Sequence, residues 1–159
     1  MVSISWCLSQ KKGIKISSPN ENMSDSYLRM AEESIGILGR VEKSKIWTAT
    51  TAYYIFYYSL YAMMLRLGIK CEIHSCSLEL MKKLLNDFYS DRDIEMIEKA
   101  FSARSDLQYY ADRPVDDRTI EEVRTYCKQF YIKTKDILSK ITESEINSVR
   151  ETLIKIKKE

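Results

Sequence analysis

Histidine occurs once in the 159 residues, at His74. A single imidazole excludes every intrachain site that needs two, including HExxH zinc proteases, three-histidine zinc sites and Glu-x-x-His di-iron bundles. It also leaves one candidate for histidine-based acid–base chemistry. Breakers are scarce as well: 4 glycines and 2 prolines are too few for a turn-rich barrel or sandwich. That scarcity predicts long helices joined by short connections. Nor does one charge sign dominate. Lys and Arg number 25 against 23 Asp and Glu, a formal net of +2, so net charge alone gives no basis for nucleic-acid binding. The N-terminus lacks the basic, apolar and cleavage regions of a secretory leader. The expectation is a cytoplasmic protein whose four cysteines (Cys7, Cys71, Cys76 and Cys127) are mostly reduced.

What is present is 45% hydrophobic and 30% charged, the balance of one packed domain. Residues 1–22 read as an arm with a short helix near Ile4–Gln10. Its breakers lie in Gly13–Asn20, and Trp6, Leu8, Ile14 and Ile16 seat it on the rest. Apolar residues at helical spacing predict a first helix from Ser24 to Leu38. Ser44 caps a second that runs to about Leu67, with Gly68 just past it. A third is expected over 76–89, a fourth over 92–111 capped by Asp91, and a fifth over 118–141 after the Pro114 loop. Thr142–Glu145 has the pattern of a capping box opening a last helix. The fold class is therefore all-α: an up-and-down bundle of four to five helices over residues 23–141. The N-terminal arm precedes it, and an extra C-terminal helix, 142–159, follows.

The run Ile46–Leu65 carries no charge over 20 residues, long enough to span a bilayer. Membrane spans place tyrosine at their two interfaces, whereas Tyr53, Tyr54, Tyr57, Tyr58 and Tyr61 occupy this run's middle and far half. The run reads instead as the central helix of the bundle, or as one buried by a second subunit, and no membrane partner is expected. Tyr54, Tyr58 and Tyr61 are assigned to that dimer interface. A base-stacking platform is the weaker reading of these tyrosines, because the nearest cations (Lys43, Lys45 and Arg66) stand at the ends of the run.

Two further constellations bear on chemistry. Cys71, His74 and Cys76 put three soft-metal ligands in six residues, but their spacing fits no common zinc pattern. They read as a loop with buried cysteines, and neither metal nor cofactor is expected. The other constellation is Phe101–Pro114, where Arg104 and Gln108 are helical i,i+4 neighbours and Asp106 lies three or four residues from Tyr109 and Tyr110. A guanidinium beside a phenol suits a phosphate. The commoner arrangement is an arginine paired with a carboxylate across a helix or dimer seam.

Five blocks in order resemble the HEPN-domain family, within it the short stand-alone prokaryotic, archaeal-like group. They are Tyr27-Leu-Arg-Met-Ala-Glu-Glu-Ser34, the aromatic stretch Ala52–Ala62, Leu67-Gly68-Ile69 followed by His74, the block Arg104–Tyr110, and the arm's Trp6-Cys7-Leu8 with Pro19-Asn20-Glu21-Asn22. The resemblance spans about residues 4–140. It implies a helical bundle that pairs into a homodimer. Many HEPN proteins are metal-independent RNases built on an arginine followed four to six residues later by a histidine. Others are toxins of toxin–antitoxin pairs, or accessory subunits of a small nucleotidyltransferase. Here Arg104 matches the family's arginine, but Tyr109, Tyr110 and Ala111 stand where the histidine belongs. Tyrosine, with an ordinary pKa of about 10, is a poor proton shuttle at neutral pH. His74 stands about thirty residues upstream, in a different connection.

The resulting expectation is a homodimeric accessory protein with a degenerate RNase motif, serving a small nucleotidyltransferase, a nucleotide or an RNA. Arg104 engages phosphate, Tyr109 and Tyr110 stack or hydrogen-bond, and Asp106 orients Arg104. One alternative is a divergent metal-independent RNase toxin using Arg104 with Tyr109 or His74. Another is a purely structural or regulatory dimer.

Overall fold

The computed structural model describes residues 2–159. Among them seven helices follow in order: α1 (Ile4–Ser9), α2 (Glu21–Leu38), α3 (Lys45–Arg66), α4 (His74–Leu84), α5 (Asp91–Tyr109), α6 (Asp117–Lys140) and α7 (Glu143–Lys158). The architecture is all-α. Local chemistry explains where most helices begin: a side-chain oxygen accepts from an otherwise orphan backbone N–H. Ser3, Asn20, Ser44, Ser90, Asp116 and Thr142 all do this. Ser90 with Asp93 and Thr142 with Glu145 complete reciprocal capping boxes.

The caps also explain the shifted boundaries. Asn20 caps α2, so the helix opens at Glu21 instead of Ser24. Ser90, not Asp91, caps α5. The largest departure is α4, expected over 76–89 and observed over His74–Leu84. Its far end turns off the helix at Leu85, and Tyr89 plugs the core beyond it. The Tyr89 ring stacks on Phe130 of α6 with centroids 5.0 Å apart, and its hydroxyl shares a 2.8 Å hydrogen bond with Thr134 Oγ1.

The centre is α3, with 14 buried residues along its length. Helices α2, α5 and α6 all pack on it. The α2–α3 pair is antiparallel: Ser24 Oγ donates to the Ala62 carbonyl at 2.7 Å, and the Asn20 N–H to that of Leu65 at 2.9 Å. Among the described residues no helix is long and apolar enough to cross a membrane. At the start of α5, nearly buried Asp93 accepts from the Ser90 N–H at 2.7 Å and from Tyr126 Oη at 2.8 Å. It also pairs with Lys133. One carboxylate thus joins the helix start to α6.

The arm does more than sequence reading indicated. After α1 the chain forms β1 (Lys15–Ile16), antiparallel to β2 (Ile69–Lys70), with Lys15 opposite Lys70 and Ile16 opposite Ile69. Gly68 makes the turn into β2 with φ 73°, a conformation that disfavours any Cβ. From α7, Arg150 Nη1 donates to the carbonyls of Ser17 and Leu67 at 2.7 and 2.8 Å. A Cβ at Gly68 would stand 2.2 Å from that same nitrogen, so turn and clamp are built around each other. The buried residues Ile146, Val149 and Leu153 set α7 into the same core.

The cysteines correct an expectation. Cys7 of α1 and Cys76 of α4 form a disulfide across 69 positions, while Cys71 and Cys127 are free and buried. Nothing in their spacing marks the pair. It forms because the arm folds back, with the Ile14 N–H donating to the Cys7 carbonyl at 2.9 Å and the Glu72 N–H to that of Lys12 at 2.9 Å.

Candidate functional site

Helix α3 is not buried all round. Trp47, Thr51, Tyr54, Tyr58 and Tyr61 reach the surface at alternating spacings of four and three, a heptad-like stripe. On α2 the same spacing exposes Met23, Tyr27, Met30, Ser34 and Ile37 to differing degrees. The Tyr27 ring joins the stripes, lying 4.8 Å from Tyr61 and 6.0 Å from Tyr58. The three tyrosines assigned to a dimer interface therefore belong to one aromatic and thioether face shared by two helices.

The other tyrosines of α3 point inward and build a floor. Tyr53 is fully buried and Tyr57 nearly so. Burial pushes both phenols far above their ordinary pKa, so both remain protonated. The guanidinium carbon of Arg104, on α5, lies over three rings: Tyr53 at 5.3 Å, Tyr54 at 5.4 Å and Tyr109 at 5.7 Å. Its Nη2 donates to Tyr109 Oη at a long 3.4 Å. Its Nε is buried without an acceptor, and among the described residues Arg104 forms no ion pair. Arg66 also buries an unmatched Nε, but its Nη1 is neutralised by Glu21 at 2.9 Å. Arg104 is thus a cation held by aromatic faces, with donor capacity unspent.

The carboxylate expected to orient Arg104 is engaged elsewhere. Asp106 pairs with Arg113 at 3.5 Å, and the Arg113 guanidinium stacks on Tyr110 at 3.9 Å from the ring centre. Asp106, in the last turn of α5, and Tyr110, just after it, therefore form a neighbouring unit with Arg113. Gln108, the i,i+4 neighbour, turns toward α3 and donates to Thr50 Oγ1 at 2.9 Å. Of the residues singled out around the motif, Tyr109 alone meets Arg104, and its ring is 66% exposed. A ligand reaching Arg104 passes that ring.

The residue that sequence spacing set aside is His74. It opens α4 and lies on the same floor: its ring stacks on Tyr57 with centroids 3.9 Å apart and meets the Tyr53 and Tyr54 rings at 5.7 and 6.2 Å. His74 Nδ1 and Tyr53 Oη share a 2.8 Å hydrogen bond. Histidine and arginine, about thirty residues apart in sequence, meet the same two rings, Tyr53 and Tyr54, with the imidazole edge-on to Tyr54. Burial, and then the Arg104 charge, hold His74 below its ordinary pKa of 6.5, so the imidazole is neutral at pH 7. The tautomer sets its chemistry. With Tyr53 donating to Nδ1, Nε2 carries the proton and is a donor; with Nδ1 donating to Tyr53, Nε2 is a base.

The six-residue run holding Cys71, His74 and Cys76 does not converge on a point. Cys76 is bonded to Cys7, Cys71 Sγ donates to the Ile73 carbonyl at 3.2 Å, and His74 faces Tyr53. No group of three or more His, Cys, Asp or Glu side chains gathers for a metal among the described residues. Neither the protein-family models nor the curated proteins match this chain.

His74 tests the electrostatics directly, because its Cε1–H proton is the chain's one imidazole signal. By NMR it titrates below 6.5, and Arg104→Gln moves the midpoint up by removing a cation that opposes protonation. Burial is the larger cause, so the midpoint stays below 6.5 in that variant. The depressed value makes folding pH-dependent. Stability from this group is complete above pH 6.5 and is lost as pH falls through the folded-state pKa.

Proposed function

We propose that this chain is a homodimeric, HEPN-like accessory protein that holds a phosphate of a nucleotide or RNA at Arg104. One observation carries the reading: the Arg104 guanidinium lies over three tyrosine rings with its Nε unmatched and no carboxylate paired to it. A cation left in that state favours an anion with oxygen acceptors, and phosphate matches a guanidinium in charge and geometry. The exposed Tyr109 ring supplies a face for a base. His74 in its Nε2–H form adds a neutral donor. In a dimer, the α2–α3 face is covered by the same face of a second copy. Because Tyr54 belongs both to that face and to the Arg104 cluster, the seam runs past the site. The family resemblance adds a small nucleotidyltransferase as the protein such a dimer serves.

A labelled single-stranded oligoribonucleotide followed by fluorescence anisotropy checks the binding. Arg104→Gln weakens it by about tenfold or more, the worth of a charge-assisted bond. Equal affinity in the two proteins sinks the reading. For the dimer, sedimentation should show the wild-type chain at twice its monomer mass and Tyr58→Lys as a monomer. A wild-type monomer at tens of micromolar removes the seam.

A second reading is favoured by the meeting of His74 and Arg104 on common rings. With Nε2 unprotonated, a neutral imidazole beside an arginine is the pair needed to deprotonate a 2′-hydroxyl and stabilise the phosphorane. In this metal-independent RNase, His74 replaces the missing motif histidine through space. Cleavage of cellular RNA by the wild type, lost in both His74→Ala and Arg104→Ala, establishes it. Absent cleavage, or cleavage unchanged in the variants, leaves binding alone.

A further inference from the structure

We propose that the Cys7–Cys76 disulfide is a redox latch that holds His74 against the tyrosine floor beside Arg104, so that a dithiol reductant opens the site. The inference rests on reading the Arg104 cluster as the functional site.

Each of the other six helices begins with a side-chain cap, but α4 begins at Ile73, which provides none. Its first turn therefore depends on tertiary ties. Four are visible: His74 Nδ1 to Tyr53 Oη, the His74 ring on Tyr57, Ser77 Oγ 3.4 Å from Tyr57 Oη, and the covalent bond from Cys76, two residues after His74, to Cys7. The later part of α4 is held independently, since Leu80 and Met81 are fully buried in the core. Movement on loss of the bond thus falls on the first turn, which carries His74.

The other side of the bond is the shortest helix among the described residues. Helix α1 is six residues long and its Trp6 is 45% exposed. Opening so short an element is a small event compared with opening the bundle, and it admits a reductant. Cys7 and Cys76 are both fully buried, and protein interiors are close-packed. Two thiols need more room than one disulfide, so reduction obliges α1 and the first turn of α4 to separate.

The chemistry is ordinary exchange. A thiolate of the external dithiol attacks one sulfur, and the Cys7–Cys76 bond breaks. The second thiol of the reductant closes its own disulfide. Two electrons and two protons pass to the protein, leaving two cysteine thiols. His74 then leaves the faces of Tyr53, Tyr54 and Tyr57 and moves away from Arg104, the groups that face it from α3 and α5. The site loses its neutral donor or base while Arg104 stays on its rings.

The test uses the full chain in three forms: air-oxidised, reduced with dithiothreitol, and Cys7→Ser. In the oxidised form the His74 signal shows ring contacts to Tyr57 and titrates below 6.5. In the other two those contacts weaken and the midpoint moves up toward 6.5, with far-UV circular dichroism unchanged. Oligoribonucleotide affinity falls about tenfold on reduction, as for loss of one bond to a charged ligand. An identical His74 midpoint and identical contacts in all three forms overturn the latch. So does a loss of helical signal on reduction, which makes the bond a staple of the whole fold. Four titratable thiols in the denatured, air-oxidised protein overturn it as well. An oxidised protein that binds no RNA while His74 still responds to reduction sinks the binding reading and leaves the latch standing.

Discussion

An uncharged run of 20 residues has to be removed from water, and most of this structure follows from that. Helix α3 is long enough that no single neighbour covers it, so α2, α5 and α6 close around it. Its composition then sets the terms of burial. Tyrosine brings apolar area and a hydroxyl together, and a buried hydroxyl needs a partner. Tyr53 finds His74, and Tyr57 lies 3.4 Å from Ser77 Oγ. The polar end of a core residue is thereby led to the start of α4, and the candidate site stands where that happens.

The site is assembled by contact between elements. Arg104 comes from α5, His74 from the first turn of α4, the rings beneath them from α3 and the exposed ring of Tyr109 from the end of α5. Arginine on aromatic faces keeps its charge without a carboxylate, because the ring quadrupoles replace part of its hydration. That separates it from the chain's structural arginines. Arg150 spends its donors on backbone carbonyls, Arg66 pairs with Glu21, and Arg113 with Asp106. The same cation lowers the pKa of the imidazole beside it, so the pair remains one charged and one neutral group at neutral pH.

Much of the fold could be read locally, because capping and helical periodicity are local. Ser44 and the Thr142–Glu145 box start α3 and α7 where their residue types said they would. The helix expected from Ser24 opens earlier, at Glu21, because the Asn20 side chain accepts from the Met23 N–H. Of the candidate site, Arg104 and Tyr109 were legible from spacing on one helix. Asp106 was misassigned because a better-placed cation, Arg113, follows on the irregular stretch after Tyr109, where helical spacing no longer applies. The heptad-like stripe on α2 was also present in the sequence, in the spacing of Met23, Met30 and Ile37. It was obscured because those positions sit beside a second, inward stripe of the same apolar type.

Composition and pattern by themselves determined an all-helical chain, the central place of α3, and the exclusion of any site needing two histidines from this one chain. These follow from residue counts and from the 3.6-residue period, which need no knowledge of distant contacts. Only the tertiary structure decided the β1–β2 pairing, the Cys7–Cys76 bond, and the meeting of the single histidine with Arg104 on shared rings. The physical reason is the same in each case. The pairings join residues tens of positions apart, and helix spacing holds no information about which faces will meet once an apolar helix has drawn its neighbours around it. The lone histidine, about thirty residues from Arg104 in sequence, meets the same tyrosine ring in space.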